Sequence, residues 1–574
     1  MIEKKLTQLV ESALAQAVSN KQLGTLDVKG VSVIISRPRQ PEHGDYATDV
    51  AFKLASRAKM DSAKVAEILK THLLAAADGA VQVEIAGRGY INFRLTHSWF
   101  AQLLSQVHAL GADFGRSTAG NGRKVLVEYV SANPTGDLHV GHARIAVFGS
   151  CLAGLLKFAG FEVTQEFYIN DAGEQVAKLT RSAWALYLKL NGKEVEYPQD
   201  GYPEASLKGY LEAVVAEHGS EYVDEPEGAK TVGELTKALI IEKQKAVLGE
   251  ARVSFDNWFS ELSLHASGKV NEALAKLGDA GLTYTEDGAT IFKAQSLGDT
   301  RDRFLTKKED GTKTYLAADI AYHLDKFERG YDLVINIWGA DHHGQVPGLK
   351  AAIQGLGGDA EKLEVILMQI VNLKRDGQLV RMSKRLGTVV LMSELIEEVG
   401  VDAVRYYLAE SSPDNAISFD LELAKKQSRE NPAYYIQYAH TRCAGILRKA
   451  LAGDKVCLSA DEWQHCLAAY ASSPESFLPL FSSDASVAVH QKTLIARLGD
   501  FPAIVQKAAQ QRAVSLIAHY AYDLACDLQK FYETSPVITD DLAVTKARLG
   551  LIAAVETVLK SALSLIGVSA PERM

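Results

Sequence analysis

The run VLVEYV (Val125–Val130), with SANPTGDL, HVGHARIAVFGSCLAGLLKFAG and EVTQEFYI after it, constrains the fold more than any other part of the chain. Five of its six residues are apolar, the pattern of a strand covered on both faces. The polar turn residues that follow break it. Helical periodicity then runs to Gly160, a residue suited to a left-handed helix end, and Glu162–Ile169 reads as the next strand. Strand, turn, helix, strand is a βαβ unit, and such units build parallel, doubly wound sheets.

At 574 residues the chain is too long for a single core, so two to four domains are expected. Residues 1–115 read as a small α/β unit. VSVIIS is its first strand, Thr48–Ala58 and Ala63–Ala76 are helices, and Val81–Ile85 with Tyr90–Phe93 form a hairpin closed by Gly87 and Gly89. A glycine-rich linker, ALGADFGRSTAGNGRK, leads into the α/β unit of residues 116–410. A charged helical insertion interrupts that unit at about 175–250. The alternation resumes with Leu333–Ile337 as a strand, VPGLKAAIQGLG as a helix and VILMQIVNL as one further strand. Beyond about residue 410 no strand pattern is evident. Helical periodicity in Ala424–Leu451, Val487–Ala509, Ala513–Thr534 and Leu542–Leu565 predicts an all-α bundle over 411–574.

The apolar stretches are short and broken by polar residues or flanked by charge, which excludes a membrane span, and the amphipathic N-terminus, which carries acidic residues, is unlike a cleavable leader; a cytoplasmic protein is expected. Five scattered cysteines with no C-x-x-C pair predict neither a disulfide framework nor structural zinc. The net charge of −9 leaves nucleic-acid binding open, because a basic patch is a local feature.

His139-Val140-Gly141-His142 falls where the first strand hands over to its helix. Its imidazoles and backbone N–H groups thus face the carboxyl edge of the sheet, where phosphates bind. Arg381-Met382-Ser383-Lys384-Arg385, in a glycine-flanked loop after VILMQIVNL, suits a cationic lid over a triphosphate. Taken singly, each has a plainer reading, as a pair of helix-capping histidines and as a solvated basic loop.

Together, at two strand ends of one α/β unit, they resemble the HIGH and KMSKS motifs of class I aminoacyl-tRNA synthetases, with Arg381 for the first lysine, Arg385 for the last serine, and Lys384 kept. A wider resemblance, to the arginyl-tRNA synthetases, is carried by VEYVSANPTGDLHVGHAR, FYINDAGEQV, YLAADIAYHLDKF and PEHGDYATDVAFKLA, and covers nearly the whole chain. The fold expected is multi-domain α/β: a Rossmann-like, doubly wound catalytic domain with a helical insertion, a small N-terminal α/β domain that binds tRNA, and a C-terminal helical domain that binds the anticodon.

The resemblance implies that ATP, with Mg²⁺, activates L-arginine and that the arginyl group passes to the 3′ terminal adenosine of tRNA(Arg). It implies a monomer whose adenylation requires bound tRNA. Catalytic roles fall to His139, Gly141, His142, Met382, Ser383 and Lys384, and the HIGH-like segment runs through Ala132, Asn133, Pro134, Thr135, Gly136, Asp137, Leu138, His139, Val140, Gly141 and His142. Glu128, Ser131 and Asn133 would hold the α-amino and carboxylate end of arginine, and Tyr315, Asp319 and Gln345 would line its side-chain pocket.

The residue chemistry agrees. A guanidinium presents five N–H donors and wants buried carboxylates, and Asp319 is the acid expected to meet it. The plain alternatives are a Glu128 held by a neighbouring cation and an Asp319 paired along its helix with His323. Gly339, Asp341 and His342, in GADHHG, are expected beside ATP with His139, Gly141, His142 and Lys384; a metal is not, since no further ligands stand at a typical spacing. On the helical module Lys425, Arg429, Tyr435, Tyr438, Arg442 and Arg448 mix cations with stacking rings, as RNA recognition requires, and Tyr435, Tyr438 and Arg442 are spaced to share one face. Rival readings are a class I synthetase for another amino acid such as cysteine or glutamate, a small-molecule nucleotidylyltransferase, and a tRNA-binding protein without catalysis.

Overall fold

Alternation along the first long strand decides how the centre of the molecule is built. In β1 (Lys124–Tyr129), Val125, Val127 and Tyr129 point to one face and Leu126 and Glu128 to the other, and all five are buried. The strands β2 (Glu162–Ile169), β3 (Asn257–Ser260), β4 (Leu333–Gly339) and β5 (Leu363–Met368) complete a five-stranded sheet of order β5-β4-β1-β2-β3, parallel throughout. The chain moves outward from β1 through β2 to β3, then returns to the other side of β1 for β4 and β5. A crevice therefore opens at the carboxyl ends of β1 and β4, where doubly wound sheets bind ligands. The computed structural model describes residues 2–24, 31–38, 40, 43–77, 79–307, 311–380, 390–452 and 458–574; Arg381, Met382, Ser383, Lys384 and Arg385 lie outside them.

Helix α1 (Val140–Phe158) covers the Val125 face with Ala143, Val147, Phe148, Leu152 and Leu155 among its buried residues. It lies close because residue 149 is glycine, where a Cβ would sit 2.3 Å from Tyr129 Cγ. Between β2 and β3 come α2 (Glu174–Leu190), α3 (Glu204–His218) and α4 (Gly228–Glu250), with their own core of Leu179, Tyr187, Leu207, Leu211, Val232 and Ile240. The Leu126 face is covered by α5 (Tyr315–Glu328) and α6 (Val346–Gly355), where Ile320, Ala321, Leu349 and Ile353 meet Leu126, Val334 and Leu363.

The expected single strand VILMQIVNL is two strands. It breaks after Met368, and β6 (Val371–Arg375) leaves the main sheet to pair with β7 (Gln378–Leu379) and, in parallel, with β8 (Ile417–Asp420). The cause is Arg144 of α1, which is buried and donates to the carbonyl oxygens of Gln369 at 2.6 Å and of Ser412 and Asn415 at 2.9 and 2.8 Å. A guanidinium aimed at backbone carbonyls replaces ladder bonds at the break. Strand β8 also corrects the expectation of no strand beyond residue 410.

In the N-terminal unit the hairpin forms as Val81–Ala86 and Tyr90–Leu95, with Gly87 and Gly89 at positive φ in its turn. VSVIIS supplies only Ile35–Ser36 to the four-stranded antiparallel sheet, and the helix expected from Thr48 begins at Val50, because Tyr46–Thr48 pair with Ile91–Phe93. His97–Leu110, not anticipated, is a helix that ties this unit to the C-terminal helices, with His108 Nε2 2.8 Å from the Gly550 carbonyl oxygen. Those helices span Pro432–Ala452, Ala460–Ser472, Ala485–Gln511, Ser515–Thr534 and Leu542–Leu565, so the one expected from Ala424 starts eight residues late, at a proline. Among the described residues no helix is long and apolar enough to cross a membrane.

Candidate active site

At the carboxyl end of β1 the chain reverses through a strained turn. Val130 and Ser131 hold φ of 69° and 40°, a left-handed region that costs a β-branched residue about 1–3 kcal/mol. The Ser131 N–H donates to the Tyr129 carbonyl at 3.0 Å, closing a γ-turn. Strain is retained because the turn is tied on both sides: Ser131 Oγ donates to Glu128 Oε1 at 2.8 Å and accepts from the Tyr168 N–H of β2 at 3.2 Å.

Further along the chain, His139 caps α1. Its Nδ1 accepts the Gly141 N–H at 3.1 Å, His142 Nδ1 accepts the His139 N–H at 3.2 Å, and the rings stack 3.8 Å apart. With Nδ1 an acceptor in both rings, the neutral imidazoles carry their protons on Nε2 as donors. Gly141 makes room for this cap, since a Cβ there would lie 3.0 Å from His139 Cε1. The cap is anchored from outside by Val140 N–H to the Val390 carbonyl (3.1 Å) and Met392 N–H to the Leu138 carbonyl (2.8 Å).

Beneath the crevice a polar rung crosses the buried sheet. Asn336 of β4, Glu128 of β1, Glu166 of β2 and Asn257 of β3 are register partners on the face that α5 covers. Two glutamates side by side repel, and the end of α5 supplies a cation for each, Lys326 in its last turn and Arg329 at its C-cap. Lys326 Nζ reaches Glu128 Oε2 at 2.5 Å and Asn336 Oδ1 at 3.0 Å, while Arg329 binds Glu166 through two N–H groups at 2.6 and 2.9 Å. Tyr322 and Asn257 each add a 2.6 Å bond to Glu166. Burial pushes the Glu166 carboxyl up, but the Arg329 and Tyr322 hydrogen bonds and the Lys326 charge outweigh it and hold the group below its ordinary value. His323 donates from Nδ1 to the Asp319 carbonyl at 2.7 Å and accepts from Asn336 at Nε2, and burial holds it neutral, well below the usual imidazole range.

Above this rung lies a cavity of about 740 Å³ lined from β1, α1, α5 and the ends of β4 and β5. It brings together Glu128, Ser131, Ala132, Asn133, His139, Gly141, His142, Tyr315, Asp319, Gly339, Asp341, His342 and Gln345, which are far apart in the sequence. Pro134, Thr135, Gly136, Asp137, Leu138 and Val140 do not line it. The two acids differ: Glu128 is already neutralised by Lys326, whereas among the described residues no ion pair reaches the Asp319 side chain. Burial, then repulsion from Glu128 and Glu261, pushes the Asp319 carboxyl up to about 7. His323 touches the Asp319 backbone, so the expected alternative of a paired Asp319–His323 side chain does not occur.

The wall also includes Tyr168, Asn170, Gln175, Glu261 and Trp338, which the sequence reading missed. Glu261 had a weaker signal: it is an acid that directly follows a four-residue strand, NWFS, only two of whose residues are apolar. Asp341, His342 and Gln345 are exposed at the mouth on a 3-10 turn, Ala340–Gln345, that is held where Arg303 donates to the Gly344 carbonyl at 2.9 Å. Among the described residues no group of three or more His, Cys, Asp or Glu could hold a metal ion.

On the helix Pro432–Ala452 the Arg442 guanidinium lies 4.8 Å from the Tyr438 ring and 5.0 Å from Tyr532, and Tyr434 stacks on Tyr438. Tyr435, half-buried, packs beside Tyr522, while Tyr438 is exposed and Arg442 half-buried. Lys425 bridges Glu398 and Glu422, Arg429 is exposed, and Arg448 donates to the Glu572 carbonyl.

Three family models match in succession: Arginyl tRNA synthetase N terminal domain over residues 4–95, tRNA synthetases class I (R), catalytic domain, over 104–429, and DALR anticodon binding domain over 436–574. The chain is 43% identical to an arginine–tRNA ligase of Geobacillus kaustophilus over 99% of each chain, and 42% identical to one of Shouchella clausii over the full length of both. The solved arginyl-tRNA synthetase of Thermus thermophilus superposes with a TM-score of 0.71 at 23% identity, covering all of both chains.

Proposed function

The chain belongs to the class I arginyl-tRNA synthetases, and from that premise we propose how its residues divide the work. Its activity is that of an arginine–tRNA ligase. The finer reading assigns residues 1–115 to the tRNA elbow, 116–410 to catalysis and 411–574 to the anticodon stem and loop, in a monomeric cytoplasmic enzyme. The observation that carries the site assignment is Asp319, a half-buried carboxylate on the cavity wall without an ion-pair partner among the described residues, in a cavity that also holds the two stacked imidazoles of HVGH. An arginine side chain supplies the missing cation, and Glu128, its charge already met, serves with Ser131 and Asn133 at the α-amino and carboxylate end.

ATP then lies with its phosphates against the Nε2–H donors of His139 and His142 and the N-terminus of α1, with Gly339, Asp341 and His342 at its ribose side. That donor set would meet phosphate oxygens directly, and Mg²⁺ would enter with the nucleotide and neutralise charge on its phosphates. The arginine carboxylate attacks the α-phosphorus as the bond to pyrophosphate breaks; the terminal adenosine hydroxyl of tRNA then attacks the arginyl carbonyl, releasing AMP. No side-chain base is needed in the first step because the carboxylate is already ionised, and positioning with charge stabilisation does most of the work. Lys384, with Met382 and Ser383, is assigned to the departing pyrophosphate, and Tyr438 and Arg442 to stacking on unpaired tRNA bases.

ATP–pyrophosphate exchange, run with each amino acid in the presence and absence of tRNA, tests this directly. Exchange is expected with arginine alone and only when tRNA(Arg) is present; exchange with another amino acid removes the pocket assignment. Gly141→Ala is expected to lower kcat about tenfold by pushing the His139 ring off its cap, while the helix itself gains slightly from alanine. An unchanged kcat in the variant would show that the ring position does not matter.

A further inference from the structure

The helical insertion reaches the active site through one buried side chain. Gln244 follows Ile240 and precedes Leu248 at helical spacing on the buried stripe of α4, a position where an apolar residue would pack without cost. Burying an amide there is unfavourable unless its donors are used. Both are: Gln244 Nε2 donates to the Asn133 carbonyl at 3.1 Å and to the Gly136 carbonyl at 2.9 Å. The preceding residue, Lys243, holds Asp137 Oδ2 at 3.0 Å, and Tyr210 of α3 donates to the other oxygen of the same carboxylate. The insertion therefore grips the Asn133–Asp137 loop from outside, while the imidazole cap that follows the loop is anchored independently by Val390 and Met392.

We propose that Gln244 is a positioning residue that holds Asn133 in register for arginine, with Lys243 and Tyr210 as an outer latch. The inference rests on the reading that Asn133 meets the substrate. It gives the insertion a role in arginine binding and explains why the insertion packs against this loop. Its signature is asymmetric: loosening the loop displaces the arginine subsite and leaves the ATP subsite standing.

The test is steady-state aminoacylation by the full-length enzyme carrying Gln244→Met, which removes both donors at similar volume. The arginine KM is expected to rise about tenfold or more, with the ATP KM near the wild-type value, since misplacement by a fraction of an ångström costs that much. The unfolding midpoint, read alongside, is expected to stay close to wild type. An unchanged arginine KM, or arginine and ATP constants that rise together, overturns the proposal. If Gln244→Met does not fold, the double variant Lys243→Met, Tyr210→Phe is read instead: a severalfold rise in the arginine KM alone supports the grip, and no rise overturns it. A wild-type enzyme whose arginine KM is insensitive to Asn133→Ala fails the underlying reading separately from the role of Gln244.

Discussion

Asp319→Asn is expected to raise the arginine KM about a hundredfold, because a charge-assisted pair in a partly enclosed pocket is worth roughly 3 kcal/mol. The amide keeps the volume and one acceptor, so the cavity stands and the ATP KM changes little. The wild-type pH profile carries the same information. Burial and the neighbouring acids push the Asp319 carboxyl up to about 7, and a guanidinium pairs with its ionised form. Arginine binding therefore expels the proton, and below about pH 7 the apparent KM climbs toward tenfold per pH unit. Above that pH the group is already ionised and the profile is flat. The acid limb should vanish in Asp319→Asn. A variant that kept both the wild-type KM and the acid limb would place the guanidinium elsewhere, with Glu261 the next acid on the wall.

Lys326→Met acts on stability before it acts on catalysis. Lys326 and Glu128 are both buried, and removing one member of such a pair leaves an uncompensated charge in the sheet, at a cost of about 3–5 kcal/mol. Much of that loss should be recovered in the double variant Lys326→Met, Glu128→Gln, since the charge left behind is then gone. Urea unfolding of the four proteins in the cycle measures the coupling. Additive losses would mean that the pair does not hold the rung together. The rung also explains why α5 carries Asp319 where it does: Lys326 in its last turn and Arg329 at its C-cap pin the end of the helix to Glu128 and Glu166, which sets Asp319 on its earlier turns at the cavity wall.

Much of the site was legible because its signals are local. A histidine cap at a strand-to-helix turn depends on residues within a few positions of one another, so HVGH could be placed at the carboxyl edge of the sheet from the sequence. The acid on β1 was visible for the same reason, as a carboxylate in an apolar strand. Glu261 was harder, because β3 is four residues long and stands after the helical insertion, where its strand pattern is brief. Gln244 carried a weak mark, an amide on an apolar stripe, but nothing near it in the sequence names its partners. The break in VILMQIVNL could not have been read at all: the residue that takes the Gln369 carbonyl is Arg144, 225 positions away.

Periodicity, capping and motif spacing are properties of neighbouring residues, and the chain's order of amino acids was enough for the parallel α/β centre, the helical C-terminal part, the HVGH cap and, through family resemblance, the activity. The resemblance put Asp319 at the guanidinium and Glu128 at the α-amino end; what only packing decided is which of the two carboxylates has its charge met from within the protein. Glu128 and Asp319 look alike in a sequence, and what separates them is that Lys326 lies 2.5 Å from the first while no ion pair reaches the second among the described residues. Charge compensation falls off over a few ångströms, and that distance exists only after β1 and α5 have packed face to face.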